Sequence, residues 1–115
     1  MGQRTYLGEL EQMVLWAVLR LGGTGYGATV LKELSTRVGR ELSTGALYAT
    51  IDRLEEKGMI GARLADPEPG RGGRRKRYLS VTGAGRGALE RTRGDWMRVW
   101  EGMELTPGAN ESVGT

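Results

Sequence analysis

The stretch Ser43–Ile60, STGALYATIDRLEEKGMI, decides the fold. Ser43 is a residue of the N-cap type, and Leu47, Ile51 and Leu54 recur behind it at helical spacing, so a helix is expected over Thr44–Lys57. Gly58 stands where a left-handed C-terminal cap is expected. The opposite face of this helix carries Thr44, Gly45, Tyr48, Ala49, Asp52, Arg53 and Glu56. Such a surface is small and polar with one aromatic ring, and it can approach the floor of a DNA major groove. Ser43, Thr44 and the free amides of the first turn suit a phosphate, because the helix dipole is positive at that end. A merely solvated face with an ordinary cap would read almost the same, except that Tyr48 puts a large ring on the polar side.

Toward the C-terminus, Met59–Ala65 and Arg74–Val81 read as two strands. The turn residues Asp66-Pro67-Glu68-Pro69-Gly70-Arg71-Gly72-Gly73 form a hairpin tip between them. Arg71, Arg74, Arg75, Lys76 and Arg77 place five cations within seven residues. A wing laid along the DNA backbone or into the minor groove needs this chemistry. A solvated charge run is the plainer reading, but the position at the mouth of a hairpin beside a helix-turn-helix favours nucleic acid. In a strand, successive side chains alternate, so about half of these cations can face one phosphate track.

Thr82 is expected to cap a fourth helix reaching about Leu105, stopped by Pro107, with a disordered polar tail over 106–115. Leu89, Thr92, Trp96, Val99 and Met103 are spaced 3-4-3-4 along it, the seam of a two-helix contact, and Trp100 follows Trp96 by one turn. Gly83, Gly85, Gly87, Gly94 and Gly102 each weaken this helix by up to ~1 kcal/mol relative to alanine, so packing must hold it.

Toward the N-terminus, Tyr6–Leu21 reads as a helix with Leu7, Leu10, Val14, Ala17, Val18 and Leu21 on one face. Leu15, Trp16 and Leu19 fall on the opposite face, and a helix apolar on two faces must be buried on two sides. Gly22-Gly23 ends it. Thr24 is the expected cap of a second helix to Val38, with Val30, Leu31 and Leu34 inward and Gly39 closing it. The outer face of the first helix is the natural surface for a fourth helix to meet. Leu15, Trp16, Leu19, Leu89, Trp96, Val99 and Met103 are therefore the expected homodimer interface. The alternative is a monomer whose fourth helix folds back on its own chain. The fold class is mainly α with a small β-hairpin: a winged helix-turn-helix over 6–81, followed by a dimerisation helix over 82–105.

Composition narrows the chemistry. With no cysteine and no histidine in 115 residues, thiolate nucleophiles, imidazole bases and their metal sites are excluded. No enzyme activity and no cofactor are expected. No run of 18 apolar residues and no signal peptide are visible, which points to the cytoplasm. The net charge of +3 is unevenly spread, at 0 over residues 1–60, +6 over 61–98 and −3 over 99–115. Arginine outnumbers lysine 14 to 3, which suits phosphate recognition. A winged helix used for protein–protein contact is the rival reading, and its wing would need fewer cations.

These pieces, in this order, resemble the PadR family of bacterial transcriptional regulators over about residues 6–103. The matching residues are Gly8-Glu9-Leu10-Glu11 with Val14-Leu15, Tyr26-Gly27, Leu42-Ser43-Thr44-Gly45-Ala46-Leu47-Tyr48 and Arg53-Leu54-Glu55-Glu56-Lys57-Gly58-Met59-Ile60. Arg74-Arg75-Lys76-Arg77-Tyr78 and Thr82-Gly83-Ala84-Gly85 complete the set. The resemblance is to members with a short C-terminal helix. It implies a homodimer in which that helix packs on the partner's first helix, recognition helices in successive major grooves of a pseudo-palindromic operator, and usually repression. It implies DNA contact by Tyr26, Ser43, Thr44, Gly45 and Tyr48, with Arg53 on the same face and the wing cations on phosphate. Some similar proteins bind flat aromatic compounds at the dimer centre. A candidate pocket here is Trp16, Trp96 and Trp100, whose rings either sandwich such an effector or fill the dimer core themselves. Ala28 and Leu79 depart from the pattern, standing where the family often has an aromatic residue and the second tyrosine of a pair.

Overall fold

The computed structural model describes residues 6–65 and 76–105. Its elements are α1 (Glu9–Leu21), α2 (Gly27–Val38), α3 (Thr44–Glu56), β1 (Ile60–Leu64), β2 (Arg77–Val81) and α4 (Gly83–Trp100). The strands pair antiparallel, from Ile60 opposite Val81 to Leu64 opposite Arg77. Three helices, a two-stranded hairpin and a fourth helix make a winged helix-turn-helix.

The core forms around α1, which touches α2, α3, β2 and α4. Val14, Leu15, Ala17 and Val18 on α1 are almost completely buried, together with Val30 and Leu34 of α2 and Leu47, Ile51 and Leu54 of α3. Leu79 from β2 and Ala88 from α4 close this cluster from the other side. With no phenylalanine in the chain, aliphatic side chains supply nearly all of it.

The structure corrects the sequence expectation at several points. Leu15, expected on the outer face for a partner, has no exposed surface and belongs to the chain's own core. A helix turns about 100° per residue, so Leu15 lies between the two faces, and a core wide enough to contact four elements takes it. Helix α1 starts at Glu9, because the Glu11 carboxylate turns back to accept the Gly8 N–H at 2.9 Å and sets the first turn there. Tyr6 lies outside the helix and is 70% exposed.

Thr24 does not cap α2. Its hydroxyl donates to the Leu21 carbonyl at 2.6 Å, finishing α1 instead. Gly25 is drawn into extended pairing with the hairpin, its carbonyl accepting the Leu79 N–H at 2.8 Å. Helix α2 therefore opens after Tyr26, whose N–H donates to the Thr29 hydroxyl at 2.9 Å. Ser43 and Thr82 do cap α3 and α4, accepting from Ala46 N at 3.0 Å and Gly85 N at 3.1 Å. Helix α4 ends at Trp100, earlier than expected: Glu101 leaves helical geometry, and Gly102 turns the chain with φ 75, a conformation open to glycine. Met103 thus follows the helix and does not continue its helical spacing. The strands are also shorter than expected, and Arg71, Arg74 and Arg75 lie outside the described residues.

Gly85 fixes where α4 leaves the hairpin. A methyl group there would press into the Met59 carbonyl oxygen and come within 2.8 Å of Val81 Cγ1. The Thr82 hydroxyl also donates to the Gly58 carbonyl at 2.6 Å, so the start of α4 is tied to both ends of the hairpin base. Gly85→Ala is expected to cost about 1–3 kcal/mol in urea unfolding, because backbone must move. Gly83→Ala, whose methyl would meet nothing within 4 Å, should change stability by less than about 0.5 kcal/mol.

Glu11 links α1 to the end of α3. Its buried carboxylate accepts from the Lys57 ammonium at 2.7 Å. Burial by itself raises the carboxyl pKa. The Lys57 hydrogen bond, the Gly8 N–H and the charges of Lys57 and Arg53 outweigh it and hold the group below its ordinary value. A depressed folded pKa means that the unfolded chain takes up the proton first as pH falls. The stabilisation is therefore full above the ordinary glutamate pKa of about 4.3 and is lost as pH drops through the folded value. Glu11→Gln should cost about 1–2 kcal/mol at neutral pH, and unfolding curves should show this difference shrinking in acid.

Candidate nucleic-acid interface

The exposed face of α3 is the one its sequence implies. Thr44, Gly45, Tyr48, Ala49, Asp52, Arg53 and Glu56 are exposed, as is Ser43 at its cap. The inner stripe of Leu47, Ile51 and Leu54 anchors this face rigidly, each side chain being fully buried. Thr50, on the inner side, returns its hydroxyl to the Ala46 carbonyl at 2.8 Å and receives Arg53 Nη2 at 3.2 Å. Arg53, exposed as a residue, is thus held along the helix with its guanidinium turned back to Thr50.

A continuous set of contacts runs from this face to the wing. The Tyr48 ring covers Gly27 at the start of α2, where even the ring carbon Cζ would be only 2.9 Å from an added methyl. Next to Gly27, the Tyr26 ring meets Tyr78 of β2 edge to face, with centroids 5.8 Å apart and planes at 84°. Lys76 lies over the other part of this group, its Nζ 4.6 Å from the Tyr26 centroid and 3.5 Å from the Tyr26 hydroxyl. Arg63 of β1, opposite Tyr78 in the ladder, places its guanidinium 5.1 Å from the Tyr78 centroid. Lys76 and Arg63 thus flank the Tyr26–Tyr78 pair, one cation on each ring, an arrangement that keeps positive charge at the surface while its stems are packed.

The neighbouring cation behaves differently. Arg77 points to the other face of the hairpin and pairs with Glu55 in the last turn of α3. Lys76 and Arg77 therefore diverge, as strand alternation requires. One remains exposed beside Tyr26, and the other braces the hairpin against α3. Leu79 shares the inner face with Arg77 and is 2% exposed, so a core contact occupies the position where the pattern it departs from has the second tyrosine of a pair. Ala28 is exposed on α2.

Arg63 carries no signal of its own in the sequence, and Tyr78 enters there only as the end of the Arg74–Tyr78 motif. Tyr78 follows Lys76 at the spacing that puts both on one face of a strand, but the pairing of Arg63 with Tyr78 depends on the strand register across the hairpin.

Residues 15–91 match the transcriptional regulator PadR-like family. The chain belongs to that family. An uncharacterized protein of Lysinibacillus sphaericus is 31% identical over 100 residues, covering 85% of this chain and 87% of its own length. A PadR family transcription regulator from Clostridium difficile R20291 has the same fold, with a TM-score of 0.69 at 23% identity over 82% of this chain and 93% of that one. A winged-helix DNA-binding protein from STIV aligns with a TM-score of 0.66 at 17% identity, over 87% of this chain and all of that one (100%). This PadR-like chain is thus a transcriptional regulator on a winged-helix fold, not an enzyme. Among the described residues no acidic cluster could hold a metal ion, and no helix is long and apolar enough to cross a membrane.

Away from the wing, this PadR-like chain leaves a second surface open. Trp96, Val99 and Met103 are 54%, 62% and 53% exposed, and Trp100 is 40% exposed. Trp16 and Leu19 on α1 and Leu89 on α4 are partly buried. A groove of about 400 Å³ between α1 and α4 is lined by Trp16 and Trp96 with Met13, Val38, Leu89 and Arg93. The Trp96 indole N–H donates to Gln12 Oε1 at 3.3 Å, which seats the ring at the groove edge. Trp100 does not line this groove; it faces a shallower surface with Met97 and Arg98. The structure therefore brings two of the three tryptophans together and leaves the third apart.

Proposed function

We propose that this chain binds operator DNA as a homodimer, with α3 in the major groove and the hairpin on the flanking backbone, and that its occupancy represses transcription. The observation that carries this reading is the unbroken strip from the exposed face of α3 through Tyr26 to Lys76, Tyr78 and Arg63. A helix face alone would suit many surfaces. Joined to a cationic hairpin by packed aromatic rings, it suits a double helix, which offers a groove beside a phosphate track. Ser43, Thr44, Gly45, Tyr48 and Arg53 would meet base edges and the nearest phosphates. Tyr26, Lys76, Arg71, Arg74 and Arg75 would meet the backbone, whereas Arg77 is engaged by Glu55.

The homodimer reading is supported by exposed apolar side chains on α4 and the partly open groove beside α1. Trp16, Leu19, Leu89, Trp96, Val99 and Met103 would form its contact, without Leu15. Two-fold symmetry would then present two α3 helices to a pseudo-palindromic site, with half-site centres about 34 Å apart. Repression rests on the family resemblance. An effector role for the groove is supported by the Trp16 and Trp96 rings and the adjacent Arg93, a setting for a planar aromatic compound.

Binding to a duplex selected from a random pool should weaken steeply with salt as counterions are released from each neutralised phosphate. Replacing Arg74 and Arg75 together by alanine should lower affinity on every sequence and flatten the log–log salt slope by about 2. Thr44→Ala should act mainly on the selected site, by about 1–3 kcal/mol if the contact is to a base edge. Electrophoretic or fluorescence titrations over a salt series read all three effects, and salt-insensitive binding would remove the DNA reading.

Trp96→Asp places a charge in the expected dimer contact. Sedimentation should show the wild-type dimer replaced by a monomer at micromolar concentration, and an unchanged mass would show that the contact lies elsewhere.

A further inference from the structure

Gly27 is the first residue of α2 and is buried, yet its backbone does not call for glycine. It is absent from the positive-φ residues, so an alanine could adopt the same conformation. Glycine is also a poorer helix former than alanine. The neighbours that explain its lack of a side chain all belong to Tyr48 of α3. An added methyl would lie 2.9 Å from Tyr48 Cζ and 3.6 Å from Cε1, with the hydroxyl oxygen closer still.

We infer that Gly27 is a positioning residue for DNA recognition: its bare backbone is the seat that holds the Tyr48 ring in one pose on the face of α3. The inference rests on the DNA-binding reading above and assigns a source to its specificity. Tyr48 is 42% exposed, and an exposed tyrosine without a seat exchanges among rotamers. The hydroxyl end of the ring abuts the start of α2, while the side chain as a whole stays 42% exposed. The exposed part of the ring then meets a base or thymine methyl without first having to be ordered, and the spacing of α2 and α3 is read out directly at the groove. A methyl at position 27 would push the ring from this pose while leaving the α3 helix and the wing cations in place.

The test uses the full chain as Gly27→Ala, Tyr48→Ala and the double variant. Each is titrated with the duplex that the wild-type chain enriches from a random pool and with an unrelated duplex of equal length. Gly27→Ala should lower the ratio of the two affinities about tenfold. The same change in the Tyr48→Ala background should alter that ratio by less than about twofold, because no ring remains to be displaced. An equal loss in both backgrounds, or no loss in either, would overturn the inference. A second readout needs no DNA: the Gly27 amide resonance should move when Tyr48→Ala removes the ring above it. An unmoved resonance would overturn the inference as well. Failure of the wild-type chain to enrich any duplex would instead count against the DNA-binding reading, and the resonance would still decide whether the seat exists.

Discussion

Helix α1 buries Val14, Leu15, Ala17 and Val18 almost completely, and the apolar arc they define is too wide for one neighbour to cover. Helices α2 and α3 cover part of it, and β2 and the start of α4 cover the rest. In a chain with no phenylalanine, this enclosure is where most of the burial free energy is gathered, at about 25 cal/mol per Å² of apolar surface. The hairpin is not an appendage on such a fold. Leu79 must reach the core, so β2 is held against α1, and the wing can leave the body in one direction only.

That requirement passes outward to the functional surface. Burying Leu79 turns Arg77 to the same inner face, where Glu55 of α3 receives it. Lys76 and Tyr78 are turned the opposite way, toward Tyr26. Pairing of Gly25 with Leu79 sets the level at which α2 begins, and α2 begins with the glycine on which Tyr48 lies. Recognition helix and wing are therefore placed by the same core contacts. A surface that must match two features of a double helix at once benefits from such shared placement, because preorganised groups lose less freedom on binding.

The second open surface follows from the glycines of α4. Gly85 lets the helix start against the Met59 carbonyl, and Ala88 and Leu89 continue the contact with the body. Beyond them α4 carries Trp96, Met97, Val99 and Trp100 largely exposed. A glycine-rich helix is weak by itself, so its exposed end gains most from a further packing partner.

Much of this is legible in the sequence. Leu47, Ile51 and Leu54 determined which face of α3 is buried, and hence that Thr44, Gly45 and Tyr48 are displayed, because helical periodicity is a local property. Ser43 and Thr82 determined where two helices start, since a side-chain cap acts within its own turn. The run from Arg71 to Arg77, set beside a helix-turn-helix, determined the charge that defines the wing. Tertiary structure alone decided the rest. Leu15 sits between two faces of α1, and only the number of neighbours could show that it is core. Thr24 is a sound cap by type, but the Leu79 amide took the Gly25 carbonyl and moved the start of α2. Arg77 and Lys76 are adjacent and alike in charge, yet register sends one to Glu55 and the other to Tyr26. The stretch that decides the fold, Ser43–Ile60, shows the same division. Its own periodicity makes Tyr48 exposed, but what holds the ring is Gly27, 21 residues earlier, and no local pattern connects the two.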